Sequence, residues 1–191
     1  MATEATSAAT KSGKGLKSGL ITELATFFTV KPGHAQQLKD ELAKRFPSAQ
    51  DPVGKVPPAV LRKVGNHHVK HYLFDNDTRL VMILSFDGTL EKYLTDALSM
   101  LGVKNFFEWL QHCNEVPPDL LEMSVPQMVE LLGSAQVEAF DYIEAVSDMT
   151  IQQIEKAQKL MVAFQQVLDN PAAAEALKNP ALKPLLDLAA A

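Results

Sequence analysis

The 191-residue sequence predicts an α+β fold: an antiparallel sheet with helices on one face and a helical region added at the C-terminus. Three observations carry this. The first half alternates strand-like segments, rich in β-branched and aromatic residues, with amphipathic segments of helical period. Beyond about residue 116 only three- and four-residue apolar spacing remains. Gly, Pro, Asn and Asp fall between the segments, where turns need them.

Residues 1 to 18 are small and polar and read as a flexible tail. Lys17, Ser18 and Glu23 break the apolar run that a secretory signal needs. A transit peptide is the alternative, opposed by Glu4 and the absence of arginine. Gly19–Val30 reads as the first strand, and Pro32-Gly33 turns the chain. Ala35, Leu38, Leu42 and Phe46 then mark one face of a helix. After a Pro-rich loop, residues 66–74 (NHHVKHYLF) form a second strand, and Asp75–Thr78 a hairpin turn. Residues 79–86 are apolar on both faces, the mark of a central strand. Thr89 is placed to cap a helix running to about residue 101. Residues 104–113, with Phe106, Phe107, Trp109 and Leu110, suit a fourth strand or a short helix. Over residues 19–116 the order β-α-β-β-α-β is the ferredoxin-like pattern, which leaves one apolar sheet face to be covered. Residues 117–191 read as a helical extension packed on this domain. One helix falls within 125–149; Thr150 with Gln153 is a capping box for the next, which Asn170-Pro171 ends. Pro180 and Pro184 divide the remainder.

Composition narrows the function classes. With 47% hydrophobic and 21% charged residues, the chain can build a core and is not of disordered composition. The single cysteine, Cys113, forbids an internal disulfide framework and favours a reducing compartment, the cytoplasm. No apolar run is long enough to span a bilayer. Residues 1–74 carry 11 Lys/Arg against 5 Asp/Glu, and residues 75–191 carry 7 against 18. Between residues 105 and 155 there are ten acids, Glu138, Asp141 and Glu144 among them, and no Lys or Arg. That stretch repels phosphate, which argues against nucleic acid and suits a solvated face or a basic protein partner.

Three of the five histidines, His67, His68 and His71, lie within five residues. On a strand, His67 and His71 would share a face roughly 13 Å apart, too far for one metal whose ligands sit about 2 Å away. His68 would point to the other face with Lys70, Tyr72 and Phe74, and is the candidate proton-transfer residue of an apolar pocket. His112, beside Cys113 and an aromatic run, is either a capping histidine next to a buried cysteine or the candidate haem ligand, with Tyr72, Phe86 and Trp109 as pocket aromatics. Cys113 as a nucleophile needs an activating base. His34 is expected to help start the first helix, and Asp75 with Asp77 is too short a pair for a calcium loop. Nucleotide-binding glycine motifs, nucleophile elbows, CxxC and HExxH are absent.

The segments Val30–His34, Val64-Gly65 with His68, Arg79-Leu80, Phe86–Gly88 and Tyr93 resemble the short motifs of a bacterial group of dimeric α+β barrel proteins. The group has Arg where this chain has His71. The resemblance implies a ferredoxin-like subunit, a homodimer and a small apolar or aromatic ligand. Relatives in that superfamily include haem enzymes of the dye-decolourising peroxidase and chlorite dismutase kind and cofactor-free, antibiotic monooxygenase-like enzymes. Haem and oxidoreductase chemistry are therefore what the resemblance implies for this chain, although the catalytic motifs of those enzymes are not in the sequence. The competing expectation is a non-catalytic interaction module that docks through its acidic helices.

Overall fold

Strand β3 (Ile21–Thr29) is the reference line of the sheet, since partners flank it on both sides. The structure, a computed structural model, describes residues 10–12, 15–18, 20–45, 54–140 and 149–190. The chain divides into two compact units, residues 1–151 and 152–191.

In the first unit the strands are β1 (Thr10–Ser12), β2 (Gly15–Ser18), β3, β4 (Asn66–Phe74) and β5 (Arg79–Asp87). Every neighbouring pair is antiparallel, in the order β1-β2-β3-β5-β4. Residues 10–12 and 15–18, read from sequence as tail, thus pair onto the sheet. The three long strands have the ferredoxin-like order, with β5 between the parallel pair β3 and β4. The β4–β5 hairpin turns through Asp75, Asn76 and Asp77, all at positive φ (52°, 54° and 65°). Asp and Asn tolerate that region better than other side chains. Thr78 locks the turn by donating its N–H and Oγ1–H to the Asp75 carbonyl.

No fourth long strand occurs among the described residues. Beyond the short pairing of β2 with Ile21 and Thr22, pieces of chain serve that edge of β3 instead. The Phe27 N–H donates to the Ala135 carbonyl at 2.9 Å, and the Val137 N–H to that of Ala25 at 2.9 Å. Further along, Asn114 N–H donates to the Thr29 carbonyl and Lys31 N–H to that of His112, while the Glu115 carboxylate accepts from Thr29 N–H. Edge groups of β3 are thereby satisfied without a continuous partner strand.

The helices of this unit are α1 (Ala35–Ala43), α2 (Pro58–Lys63), α3 (Leu90–Phe107) and α4 (Val125–Ser134). Helix α2 falls just after the Pro-rich loop, and Pro58 at its first position is compatible with a helix start. The Thr89 side chain caps α3 by accepting from Lys92 N–H. Residues 104–113 are neither a strand nor a separate α-helix. Helix α3 continues to Phe107 across a break at Gly102 (φ 74°), and a 3₁₀ segment, Glu108–His112, follows. Gly102 meets the break without a left-handed side-chain penalty. Gln127 Oε1 accepts from Ser124 N–H at the start of α4, a cap the sequence reading passed over.

Alternation sets the core. Leu24 and Phe28 of β3 and Leu80, Met82, Leu84 and Phe86 of β5 are buried with Leu38 of α1 and Tyr93, Leu94 and Ala97 of α3. Each such side chain contributes about 1.5–3 kcal/mol for the larger apolar residues. The opposite face carries Phe27, Tyr72 and Phe74, each 43–50% exposed.

The second unit continues α5 (Ile151–Leu168) and adds the short helices α6 (Ala174–Leu177) and α7 (Lys183–Ala189). Asn170 and Asn179 each accept a hydrogen bond from the N–H two residues on, starting 3₁₀ turns at Pro171 and Pro180. An apolar groove of about 470 Å³ lies among Leu160, Met161 and Phe164 of α5 and Leu185 and Leu188 of α7, with no titratable side chain in its lining.

Candidate functional site

The histidine strand β4 does not keep a simple alternation. Asn66 faces Phe86, but His68 faces Ser85, so one residue too many lies between them. The extra residue is His67, at a β-bulge. From His68 onward the register is regular: His71 opposes Met82 and Tyr72 opposes Val81. Asn66, Val69 and His71 therefore lie with the core face, while His68, Lys70, Tyr72 and Phe74 share the outer one, as their spacing predicts. His67, at the bulge, pairs with Asp87: His67 Nε2 lies 2.8 Å from Asp87 Oδ1.

Asp87 is held there by backbone geometry. Its N–H donates to the Gly65 carbonyl at 2.8 Å. Gly65 has φ +75°, and a Cβ on it would stand 2.8 Å from both Asp87 Cβ and Asp87 Oδ2. Only glycine provides both the positive φ and the clearance. The Val64-Gly65 and Phe86–Gly88 segments, far apart in sequence, meet at this point.

The His67 ring lines a pocket of about 360 Å³ at the edge of β4, beside α2. Pro58, Leu61 and Val69 supply apolar walls; Arg62, Asn66 and His68 add polar groups. His68, the sequence candidate, is thus at this pocket and next to an imidazole–carboxylate pair. Burial lowers the His68 pKa, Lys70 lowers it further, and Glu23 opposes them, so the neutral ring is favoured. With Nε2 turned to Asp87, His67 keeps Nδ1 as its other proton-transfer atom.

The other candidates do not share this pocket. Tyr72 lies on the outer sheet face, whereas Phe86 and Trp109 lie in the core. Phe86 stacks on Tyr93, with ring centres 4.6 Å apart, and Trp109 meets Phe28 and His71 edge-on. His112 is buried, and its Nδ1 is 3.0 Å from His34 Nδ1. The structure therefore brings His112 together with His34, which was read only as a helix-start residue. Lys31 aligns the two segments: its N–H donates to the His112 carbonyl and its Nζ to that of Gln111. As to haem, Phe86 and Trp109 are closed in the core, Phe86 against Tyr93 and Trp109 against Phe28 and His71, so neither ring is open to stack on a macrocycle; the buried His112 Nε2 has no hydrogen-bond partner among the described residues. Cys113 is fully buried, and its pKa is pushed up to about 12, first by burial and then by Glu115. That thiol is protonated and inert at neutral pH.

Beneath the sheet lies a polar cluster that sequence spacing did not reveal. The Asn66 amide donates to Tyr93 Oη at 2.8 Å. Arg45 is buried, donates to the Phe106 carbonyl and lies over the Phe106 and Trp109 rings. His71 Nε2 is buried and has no hydrogen-bond partner among the described residues. Burial, aided by Arg45, lowers the His71 pKa to about 3. Arg45 lies in sequence beside a loop and His71 on an outer strand, so only folding brings them together.

Among the described residues no three His, Cys, Asp or Glu side chains converge as a metal-ligand group, and no helix is long and apolar enough to cross a membrane. The sequence matches no protein-family model and no curated protein. Among solved structures it resembles a protein from Bordetella bronchiseptica that carries the name of an antibiotic biosynthesis monooxygenase, at 18% identity and a TM-score of 0.33, covering 51% of this chain and 85% of that one. A likeness this loose carries no weight for activity.

Proposed function

We propose that the protein binds a small apolar or aromatic molecule in the pocket between α2 and the edge of β4, and that the pocket histidines move a proton on it. The observation that carries the reading is the His67–Asp87 pair at 2.8 Å, lining a pocket of about 360 Å³ together with His68. A carboxylate hydrogen-bonded to an imidazole fixes the orientation of the ring, an arrangement that general bases use. Apolar walls beside a few convergent polar groups are the usual make-up of a ligand site. Of the oxidoreductase readings, these residues support a cofactor-free one, because the acid–base pair needs no prosthetic group to act. A chain with one cysteine and no internal disulfide suits a reducing compartment, and the cytoplasm is the location proposed.

The test uses 1-indanone, a small aromatic carbon acid. Its amide-shift perturbations should map to residues 58–69, and deuterium exchange at its C2 should be accelerated by the protein. Loss of that acceleration in Asp87→Asn, with probe binding kept, is the expected result. Acceleration unchanged in both Asp87→Asn and His68→Ala would remove the proton-transfer role.

A second reading has its own observation. Phe27, Tyr72 and Phe74 expose an aromatic patch, with Phe27 and Phe74 edge-on at 6.1 Å. Patches of this kind mark interfaces, which supports a homodimer joined through this face; a native mass of one chain would refute it. For the acidic docking surface, Glu138 is exposed, while Asp141 and Glu144 lie outside the described residues.

A further inference from the structure

Asp87 is gripped from a second direction, by a part of the chain far from the histidine strand in sequence. Its Oδ1 faces His67 Nε2 at 2.8 Å, and its Oδ2 accepts from the Ile151 N–H at 3.1 Å. Ile151 is the first residue of α5, 64 positions further along the chain. A carboxylate with a partner on one oxygen can still turn about its Cβ–Cγ bond, a soft torsion. Partners on both oxygens fix that angle too, which is how a supporting group holds a reacting one in place. A helix start suits the task. The first N–H groups of a helix have no acceptor within it, and they stand at the positive end of its dipole, which favours a carboxylate. On its other side Asp87 abuts Gly65. Its N–H donates to the Gly65 carbonyl at 2.8 Å, and a Cβ on Gly65 would stand 2.8 Å from Asp87 Oδ2. The oxygen bonded to Ile151 is thus also the one packed on the Gly65 backbone, and Oδ1 is left to His67.

We infer that the Ile151 N–H is a positioning group for the proton-transfer pair: it holds Asp87 so that Oδ1 meets His67 Nε2, and whatever displaces the start of α5 uncouples the pair. The functional meaning of this clamp rests on the pocket reading above, which it deepens by naming a control point of the same site. An ionised carboxylate only accepts hydrogen bonds, so His67 Nε2 carries the ring proton and Nδ1 is the free base. Without the clamp Asp87 turns, the ring loses its fixed acceptor, and the base is no longer held at the pocket.

The experiment removes that one N–H from the full-length protein. Ile151→Pro does so at the first position of a helix, where proline is well accepted. An ester in place of the Thr150–Ile151 amide removes the same N–H, keeps the side chain, and serves if the proline variant does not fold. Ile151→Val keeps the N–H and is the conservative control. The first readout needs no ligand: exchange with water of the His67 Nε2 proton, followed in spectra of protein labelled with nitrogen-15 at histidine. The proton should be protected in wild type and Ile151→Val, and should exchange about tenfold faster in Ile151→Pro and in the ester. The second readout is deuterium exchange at C2 of 1-indanone. Its acceleration should fall about tenfold in Ile151→Pro with probe binding kept. Ile151→Pro added to Asp87→Asn should cause no further fall, since Ile151 acts through Asp87. Equal ring-proton exchange in wild type, Ile151→Pro and the ester would overturn the clamp and leave the pocket reading standing. So would a fall on the Asp87→Asn background as large as on wild type, which a merely structural role would give. Faster ring-proton exchange in the variants, with no acceleration of 1-indanone exchange by wild type, would support the clamp and overturn the pocket reading.

Discussion

Acid should destabilise this protein through His71 in a way that one substitution can isolate. The ring is neutral in the folded state, its Nε2 is sealed from water without a hydrogen-bond partner among the described residues, and its pKa is lowered to about 3 by burial and then by Arg45. In the unfolded chain a histidine titrates near ~6.5. Between those two values the unfolded state binds a proton that the folded state refuses, so stability falls as pH falls. Integrating the difference gives a loss of about 2 kcal/mol between pH 7 and pH 5, and about 3 kcal/mol by pH 4. His71→Phe removes the titration, and its ring can take over the contact with Trp109, now 4.7 Å between centres. Volume-similar core exchanges usually cost less than about 1.5 kcal/mol. Urea unfolding of both proteins at pH 7, 6, 5 and 4 yields the difference, in which the carboxylates common to both cancel. Wild type should lose about 2 kcal/mol more than the variant from pH 7 to pH 5. Parallel stability curves would mean that His71 takes up its proton in the folded protein and that its burial has been misjudged.

Other outcomes follow from the same geometry. Gly65→Ala should cost about 2–3 kcal/mol, from the positive φ and from the clash with Asp87; an unchanged melting temperature would show that Asp87 moves freely, and would remove the reason for glycine there. Asn66→Ala leaves the buried Tyr93 hydroxyl without its donor, which should cost about 1–3 kcal/mol by denaturant unfolding. Cys113 should react with an aromatic disulfide reagent only as fast as the protein unfolds, since the thiol is buried and protonated; full labelling within minutes under native conditions would contradict this.

Much of the secondary structure was legible because it is local. Asp75–Thr78 turns because Asp and Asn accept left-handed backbone angles; Thr89 starts α3 because its hydroxyl reaches the Lys92 N–H; Asn170-Pro171 ends the helical run of α5. Each depends on residues within a few positions. The parity of β4 from His68 onward is local too, which is why His68, Lys70, Tyr72 and Phe74 share the face their spacing predicts. The candidate site was only half legible. His68 could be singled out as a histidine on an apolar strand, but the pairing of His67 with Asp87 could not. No signal within residues 66–74 announces the bulge, which arises in the pairing of that strand with β5.

What tertiary structure alone decided are the meetings of distant segments. Gly65 against Asp87 makes the imidazole–carboxylate pair; His34 against His112 replaces the expected neighbourhood of His112 with Cys113; Arg45 enters the core beside His71 and Trp109. The missing fourth strand belongs to the same class. Residues 104–113 had apolar content enough for a strand or a helix; in the fold they are helix and 3₁₀ turn, while residues 112–115 and 135–137 meet the edge groups of β3. Backbone preference and side-chain period act over a handful of residues and can be read along the chain. Register, burial and proton affinity depend on which surfaces meet, and the chain reveals those only when it is folded.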